Sequence, residues 1–230
     1  MALDMHSILE SNVSWPTAGE DRPFFIAIAG GSGSGKTTIA QSVVEIVGAE
    51  LVTLIQQDAY YRDQNHLTFE QRVAINYDHP DSLENELLVQ HLEELRAGRS
   101  IQRPVYDFGT HTRTDQTVLL EPGAVVLVEG ILVLAEPELR PRFDLRIYID
   151  TDADMRLIRR LQRDIIERHR TVEAVLAQYE ETVRPMQLQF VEPSKRYADI
   201  IVPEGYNPGA VGTVTSMIQH FLTERTPTAD

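Results

Sequence analysis

The sequence predicts an α/β protein in which a parallel β-sheet is flanked by helices. Short apolar runs alternate along the chain with helical patterns, as expected of strand–helix units on a parallel sheet. The run Val125–Val128 is apolar throughout, which is typical of a strand buried on both faces. A length of 230 residues favours one domain with small insertions, which we place at residues 23–224.

Seven short apolar or alternating runs predict the strands, because such residues fit a buried or half-buried pleated surface. The third and fourth runs flank a polar loop, and we expect them to form a small β-hairpin insertion at about residues 100–121. In chain order the predicted strands are Phe24–Ala29, Leu51–Ile55, Ile101–Tyr106, Thr117–Leu120, Val125–Val128, Leu145–Ile149 and Ile200–Val202.

The predicted helices are recognised by their periodicity and by the residues at their ends. Thr68 and Gln71 have the spacing of a capping box, which indicates the start of a short helix. Leucines recur at helical intervals ahead of Gly98, a typical residue after a helix end. The predicted helices run over about Lys36–Val47, from Thr68, over Leu83–Gly98, after the cap Thr151–Asp154, over about Thr171–Phe190 and over about Asn207–Thr223.

The charge balance limits the partners of this chain. The 35 Asp and Glu residues against 21 Lys and Arg residues give a net charge of −14. This charge repels polyanions, so we expect no nucleic-acid partner and no anionic-membrane partner. A small phosphorylated ligand in a locally basic pocket is still compatible with it. The chain has no cysteine, which excludes disulfides, a thiol nucleophile and a Cys-ligated zinc site.

The chain ends and the longest apolar stretch predict a cytoplasmic protein. Residues 1–22 lack the basic start and apolar run of a signal peptide, and we expect them to form a flexible extension. The stretch Ala124–Ala135 is too short to span a bilayer. Residues 225–230 are predicted to be a short C-terminal tail.

A glycine-rich segment between the first strand and the first helix predicts phosphate binding. Residues Gly30–Thr37 fit the pattern G-x-x-x-x-G-K-[ST] in the strand-to-helix setting that this motif requires. Glycines let backbone N–H groups surround phosphate oxygens at the positive end of the helix. Lys36 is expected to reach the β- and γ-phosphates and Thr37 to bind Mg²⁺. The fold is therefore expected to be P-loop NTPase-like, but the class stays open: kinase, GTPase, motor, transporter ATPase or regulator.

Two carboxylates follow predicted strands at the edge of the sheet where ligands bind. Asp58 comes shortly after the second strand, where it can accept a proton from an attacking hydroxyl or be an ordinary solvated loop residue. Glu129 ends the apolar run Val125–Val128, which favours a role toward Mg²⁺ over helix capping.

An arginine-rich segment and two aromatic turns are the remaining candidates for ligand-binding sites. Six of the 19 arginines lie between Arg156 and Arg170, and four of them share one helical face. In an acidic protein this face is either a phosphate site or a solvated, ion-paired surface. Tyr77–Asp81 and Tyr106–Arg113 combine aromatic rings with hydrogen-bonding groups, which suits a planar base and a sugar, although His111 alone is typical of a surface histidine.

With these motifs in order, the chain resembles the uridine–cytidine kinase family in its bacterial form, over roughly residues 24–222. The resemblance depends on several motifs that agree in order and spacing. They are Gly30–Thr37, Gln57–Tyr61, Asn76–Pro80, Pro104–Tyr106, His111–Arg113, Val128–Leu132, Arg159–Asp164, Glu167–Arg168, Gln178–Tyr179, Pro193–Lys195 and Tyr197–Asp199.

The resemblance implies phosphorylation of the 5′-hydroxyl of uridine and cytidine, and it implies roles for individual residues. Asp58 would be the base, with Lys36 and Arg163 at the transferred phosphate. The implied donor-binding residues are Gly30, Gly31, Ser32, Gly33, Ser34, Gly35, Lys36, Thr37, Thr38, Arg160, Arg163 and Asn207. The implied nucleoside-binding residues are Tyr61, Tyr77, Asp78, Tyr106, His111, Arg160, Arg170 and Gln178, and the implied metal ligands are Thr37, Asp58 and Glu129.

The resemblance also implies cofactors, regulation and assembly. ATP or GTP would be the donor, with Mg²⁺, and a helical lid would cover about residues 160–190. The family is typically a homotetramer inhibited by CTP and UTP. This chain has His169 where the family often has glycine, and Asn207 where some members have aspartate near the adenine. The alternatives are another P-loop small-molecule kinase, such as a phosphoribulokinase or pantothenate kinase, and a non-catalytic pyrimidine nucleotide sensor.

Overall fold

The computed structural model describes residues 22–203 and 208–225. Five parallel strands form the main sheet in the order β2-β5-β1-β6-β7, and β3 pairs with β4 in a separate antiparallel hairpin. The predicted α/β class and the hairpin insertion are confirmed. The strands are β1 Phe24–Gly30, β2 Val52–Gln56, β3 Ile101–Asp107, β4 Thr112–Leu120, β5 Val125–Gly130, β6 Leu145–Asp150 and β7 Ile200–Pro203.

Helices cover both faces of the sheet. Asp152 and Thr171 are the N-caps of α4 and α5, and the Thr171 hydroxyl accepts a hydrogen bond from the Ala174 N–H. The helices are α1 Lys36–Val47, α2 Phe69–Val73, α3 Asn85–Arg96, α4 Ala153–Ile166, α5 Val172–Gln178, α6 Arg184–Met186, α7 Glu192–Ser194 and α8 Pro208–Arg225.

The central strand β1 divides the hydrophobic core in two. All seven residues of β1 are buried, because β5 and β6 pair with its two edges and helices pack on both of its faces. Successive side chains of a strand point to opposite faces. Phe24, Ile26 and Ile28 therefore share one core with α1 and α8, whereas Phe25 and Ala27 share the other with α3.

Several details differ from the sequence-based predictions. The second hairpin strand begins at Thr112, because the turn that joins the strands is short and places His111 at a φ of +55°. Leu83 lies outside α3 and instead bridges Tyr61. In the predicted cap Thr151–Asp154, the side chain of the N-cap Asp152 makes no capping hydrogen bond. The Thr151 hydroxyl instead donates to the Ser34 carbonyl (3.0 Å), and Asp154 Oδ1 accepts from the Met155 N–H (2.8 Å).

The helical segment that begins at Val172 continues past Phe190, where we predicted its end. It runs through α6 and α7 to Ser194, with two π-helical stretches at Tyr179–Val183 and Gln187–Val191. Each stretch precedes a proline, Pro185 or Pro193. Proline has no N–H and clashes with an ordinary α-helical turn, so a widened turn lets the helix continue.

The strand register brings three functional segments to one edge. Ile28 of β1 lies beside Glu129 of β5, and Glu129 lies beside Gln56 of β2. The P-loop after β1, Glu129 at the end of β5 and Asp58 two residues after β2 are thereby neighbours. Asn207, residues 1–21 and the tail 226–230 lie outside the described residues.

Candidate active site

The segment Gly30–Thr37 forms a tight loop that leads into α1. Gly35 is the N-cap of α1 at a φ of +93°, and Gly33 has a φ of +80°. L-residues rarely adopt this region. A Cβ on Gly33 would also overlap the carbonyl oxygen of Arg156 on α4. Both positions therefore require glycine, and the helix N-terminus is left facing a cleft.

The polar residues at the start of α1 contact Glu129. The Thr37 hydroxyl donates to Glu129 Oε1 (2.9 Å), and Lys36 Nζ lies 3.9 Å from Glu129 Oε2. Glu129 is only 5% exposed. Burial raises the pKa of its carboxyl, and the Lys36 charge acts in the opposite direction. A buried carboxylate beside a hydroxyl and a cation is suited to holding Mg²⁺ against phosphate.

A first cleft lies on one side of Asp58. Its cationic side chains outnumber its carboxylates, which are Asp58 and Asp78, so it is locally basic within an acidic protein. Burial raises the pKa of Asp78, while the Arg160 guanidinium acts to lower it. The lining residues are Ser32, Lys36, Asp58, Tyr61, Tyr77, Asp78, Tyr106, Phe108, His111, Ile131, Arg160, Arg163, Arg168, Arg170 and Gln178.

Aromatic rings form one wall of this first cleft. The Tyr106 ring lies 5.0 Å from that of Tyr61, 6.1 Å from that of Tyr77 and 5.1 Å from that of Phe108. The His111 ring stacks on Tyr77 at 5.6 Å. Such a wall suits a planar aromatic ligand, because offset and edge contacts between rings are favourable.

His111 is held in the cleft by both its backbone and its ring. Its carbonyl accepts a hydrogen bond from the Tyr77 hydroxyl (3.0 Å), and its Nε2 lies 3.4 Å from Arg170 Nη2. Burial lowers the pKa of His111, and the charges of Arg170 and Arg168 lower it further. The ring is therefore neutral at pH 7 and has one donor and one acceptor nitrogen.

A second, larger cleft lies on the other side of Asp58. It extends from the P-loop helix to the hairpin and includes two of the P-loop glycines. The lining residues are Gly33, Gly35, Lys36, Thr37, Thr38, Gln41, Gln56, Asp58, Ala59, Arg103, Val105, Tyr106, Phe108, Glu129, Arg159, Arg163, Glu167 and Arg168.

The two clefts meet at the residues predicted to act on the transferred phosphate. Lys36, Asp58 and Arg163 line both, together with Tyr106, Phe108 and Arg168. A ligand in one cleft can therefore reach a ligand in the other between an ammonium, a carboxylate and a guanidinium. This arrangement suits transfer of a charged group between two bound molecules.

The structure brings most of the predicted site residues together. Ser32 accepts a hydrogen bond from Arg160 Nη1 (2.8 Å), and Gln178 Oε1 accepts from both Arg160 (2.8 Å) and Arg170 (2.6 Å). Ser34 is fully buried behind the loop. Gly30 and Gly31 are also closely packed. A Cβ on Gly30 would meet Ile149, and a Cβ on Gly31 would meet Arg156 and Gln187.

Sequence reasoning missed several residues of the two clefts. Phe108 and Arg168 line both clefts, and the Arg168 guanidinium lies 4.3 Å from the centre of the Phe108 ring. Ile131 and Arg103 were also not predicted. The signal for Arg168 was its place in the arginine-rich segment. Arg103 carried no sequence signal, because only the folded hairpin brings β3 over the P-loop.

The donor set fits a divalent cation that is completed by phosphate oxygens. Among the described residues no three His, Cys, Asp or Glu side chains converge on one point. Mg²⁺ keeps several waters and is usually held by one or two carboxylates and by substrate phosphates. Thr37, Glu129 and Asp58 are oxygen donors of this kind at the mouth of the P-loop.

The P-loop, the acidic strand ends and the paired clefts define a P-loop phosphotransferase that acts on a small molecule. Comparison with known families gives the narrower assignment. The family model described as "Phosphoribulokinase / Uridine kinase family" matches residues 25–208. The chain belongs to this family.

Two curated relatives are similar over most of the chain. A uridine kinase from Clostridium perfringens is 52% identical over 202 residues, which cover 87% of this chain and 97% of that protein. A uridine kinase from Chloroflexus aurantiacus is 53% identical over 201 residues, which cover 87% of this chain and 96% of that protein.

Solved structures support the fold. A D-glycerate 3-kinase from Cryptococcus neoformans superposes with a TM-score of 0.58 at 18% identity, covering 83% of this chain and 89% of that one. A phosphoribulokinase from Rhodobacter spheroides has a TM-score of 0.57 at 14% identity, covering 79% and 70%. In the part of the chain that the structure describes, no helix combines the length and apolarity needed to cross a bilayer.

Proposed function

We propose that this protein is a uridine–cytidine kinase of pyrimidine salvage. It transfers the γ-phosphoryl group of ATP or GTP to the 5′-hydroxyl of uridine or cytidine and yields UMP or CMP. The proposal depends on one observation: an aromatic cleft and a P-loop cleft meet at Lys36, Asp58 and Arg163. The names of the curated relatives support the choice of acceptor.

The reaction follows from the positions of these three side chains. Asp58 accepts the proton of the 5′-hydroxyl as that oxygen attacks the γ-phosphorus in line with the leaving β-phosphate oxygen. Lys36 and Arg163 stabilise the negative charge that is distributed over the phosphoryl oxygens. The lid over about residues 160–190 excludes water, which would otherwise compete as acceptor.

Thr37, Glu129 and Asp58 would hold Mg²⁺. When bound, the ion supplies positive charge to the phosphate oxygens of the donor. In the present arrangement the Thr37 hydroxyl donates to Glu129, so this pair already has its oxygens together. The donor phosphates occupy the loop Gly30–Thr37, with Thr38 beside it and Arg160 facing it.

We further propose a cytoplasmic homotetramer inhibited by CTP and UTP. The outer face of α4 supports self-association, because Met155, Ile158 and Ile165 are exposed there while the arginines of the same helix turn inward. The continuity of the two clefts supports inhibition. A pyrimidine triphosphate has a base for the aromatic cleft and phosphates for the P-loop, so it can occupy both sites in one molecule.

A coupled assay of ADP release tests the function. Uridine, cytidine, adenosine and guanosine are compared with and without Mg²⁺, with ATP as donor. We expect comparable kcat/KM for the two pyrimidines, very weak activity with purines because Tyr106 closes the pocket, and none without the ion. A preference for adenosine would contradict the proposed acceptor. Binding of UTP or CTP without any turnover would favour the nucleotide sensor.

We expect strong discrimination against 2′-deoxyuridine. Asp78 is nearly buried in the nucleoside cleft, and Arg170 lies in the same cleft, so both are placed to bond the ribose hydroxyls. Loss of a hydroxyl leaves a buried polar group unpaired, and sites of this kind discriminate by up to about 10⁴-fold. The measurement is kcat/KM for both nucleosides on the wild type and on Asp78→Asn. Equal kcat/KM values for uridine and 2′-deoxyuridine on the wild type would show that Asp78 and Arg170 do not bind the ribose hydroxyls.

We expect His111→Leu to lower kcat/KM for both uridine and cytidine. The neutral imidazole can donate to the carbonyl at position 4 of uridine or accept from the amino group of cytidine, and leucine can do neither. The cost of an unpaired buried group is about 1–3 kcal/mol, which corresponds to roughly 5- to 150-fold in kcat/KM. His66→Leu is the matched control, because His66 is exposed. A His111→Leu enzyme that handles uridine as well as the control would show that this histidine does not bind the base.

A further inference from the structure

Asp164 is a buried carboxylate at the centre of the arginine-rich segment. It is fully inaccessible to solvent on α4. Its Oδ1 lies 2.8 Å from Arg163 Nη2 and 3.6 Å from Arg168 Nη1, and its Oδ2 lies 3.6 Å from Arg160 Nε and 4.0 Å from Arg170 Nη1. One negative charge thus faces four guanidinium groups.

These four arginines belong to the two clefts. Arg160 and Arg170 line the nucleoside cleft, and they share Gln178 Oε1 as a hydrogen-bond acceptor. Arg163 and Arg168 line both clefts. Asp164 itself lines neither cleft, so it touches no substrate and acts only through the arginines.

The backbone also wraps around Asp164. The Arg170 N–H donates to the Asp164 carbonyl oxygen (3.0 Å), which closes the turn after α4. The turn needs a left-handed residue, and His169 takes a φ of +53°. A non-glycine residue in this conformation is tolerated where its surroundings hold it in place. The backbone carbonyl of Asp164 closes this turn, and its carboxylate separately faces Arg168 and Arg170 of the loop that follows.

Charge balance explains why an acid is needed at this position. Four guanidinium groups that share one site repel one another, and a single buried carboxylate compensates part of that repulsion. Burial acts to raise the pKa of Asp164, and the charges of Arg163, Arg160 and Arg168 outweigh it, so the pKa lies below its ordinary value. The group is ionised at neutral pH.

The contact with Arg163 also fixes which part of that guanidinium is free. Its Nε donates to Asp164 Oδ1 (2.9 Å), and its Nη2 lies 2.8 Å from the same oxygen. The other terminal nitrogen, Nη1, has no hydrogen bond to Asp164 and is available to a phosphoryl oxygen. A fork held by two of its nitrogens has one orientation, which is the requirement of a preorganised charge clamp.

We propose that Asp164 is a positioning residue for the arginines of the nucleoside cleft and for those at the junction of the two clefts. Nucleoside binding and phosphoryl transfer then depend on a carboxylate that touches neither substrate. The choice of substrates in this proposal rests on the function proposed above, whereas the geometry of the arginine cluster is independent of that function.

The test is Asp164→Asn, which keeps the shape of the side chain and removes its charge. We expect kcat with uridine to fall by about 100-fold, since small displacements of positioning groups have effects of this size. The KM for uridine should rise about tenfold, because Arg160 and Arg170 lose the negative charge of the carboxylate that lies between them. ADP affinity by calorimetry should stay within about threefold, because its phosphates lie on the P-loop.

This combination separates positioning from a merely structural role. A partly unfolded sample lowers the apparent kcat and leaves both the uridine KM and the ADP affinity of the folded fraction unchanged. The matched control is Asp199→Asn. The Asp199 side chain is 8% exposed and is ion-paired with Arg146 at 2.7 Å. It lies at the amino-terminal end of β6, which is the end opposite to the P-loop. We expect the control to lower Tm and to leave the uridine KM unchanged.

Three results would overturn the proposal: a folded Asp164→Asn enzyme with wild-type kcat and uridine KM, an equal change of uridine KM in the control, or a parallel loss of ADP binding. If Asp164→Asn does not fold, Asp164→Glu replaces it. That variant keeps the charge and moves the carboxylate by one methylene, so wild-type kinetics would exclude positioning, and a raised uridine KM would support it. A wild-type enzyme inactive on uridine would contradict the proposed function instead, and the same comparison is then made with the nucleoside that it does phosphorylate.

Discussion

Asp58→Asn is expected to lower kcat by about 10³-fold, within the range that a general base contributes. The amide keeps the size of the side chain, but it cannot accept the proton of the 5′-hydroxyl, and it is a poorer ligand for Mg²⁺. Asp58 lines both clefts at the point where they meet. The uridine affinity should change little, since the aromatic wall and Asp78 remain. The measurements are steady-state kinetics and calorimetric binding of uridine.

Glu129→Gln is the comparison that assigns the roles of the two acids. Glu129 contacts Thr37 and Lys36 but does not line the nucleoside cleft, so we expect its variant to raise the Mg²⁺ concentration required for activity. A nearly inactive Glu129→Gln enzyme beside a nearly normal Asp58→Asn enzyme would mean that the roles of base and metal ligand are exchanged.

Lys36→Ala is expected to reduce kcat by roughly 150- to 1000-fold, which corresponds to the 3–4 kcal/mol typical of a lost transition-state charge contact. Lys36 is 9% exposed and is the ammonium group at the junction of the clefts. Arg163, which also lines both clefts, is held by Asp164. We also expect weaker ADP binding, because the β-phosphate loses its cation. The measurements are kcat and the calorimetric Kd for ADP.

The second lysine of the chain is a matched control. Lys195 is paired with Asp150 at 2.5 Å and with Glu192 at 3.6 Å, and it lines neither cleft. Lys195→Ala therefore removes the same group from an ion pair outside the site, and kcat should stay within about twofold, as for most surface ion pairs. Near wild-type kcat in a folded Lys36→Ala enzyme would contradict the assignment of the P-loop lysine.

Local sequence signals predicted most of the elements because their causes are local. Thr68 and Gln71 form the predicted capping box, and α1 spans Lys36–Val47 as predicted. The hairpin strand β4 was predicted too short, since its first half is polar and its pairing with β3 depends on a tight turn. The helical segment after Val172 was predicted to end too early, because π-helical turns that accommodate Pro185 and Pro193 have no sequence pattern of their own.

Some residues of the site were likewise predictable from local sequence signals, and others were not. The P-loop, Asp58 and Glu129 were predictable, because a motif and the ends of parallel strands specify where their side chains meet. Asp164 was not, although its spacing from Arg160, Arg163 and Arg168 is visible in the sequence. That spacing is equally compatible with a solvated, ion-paired helix face, and only the packing of the arginine face of α4 against the clefts buries the carboxylate.

The amino-acid sequence by itself determined the class of fold, the phosphate-binding loop and the acidic residues at the strand ends, since each depends on residues close together in the chain or on the rule that parallel strands end at one edge. The tertiary structure alone decided which side chains line both clefts, that Arg168 stacks on Phe108, and that the buried carboxylate of Asp164 lies among four arginines. These contacts join segments separated along the chain, and their free energy depends on burial and on the distances between charges, which exist only after the helices have packed on the sheet.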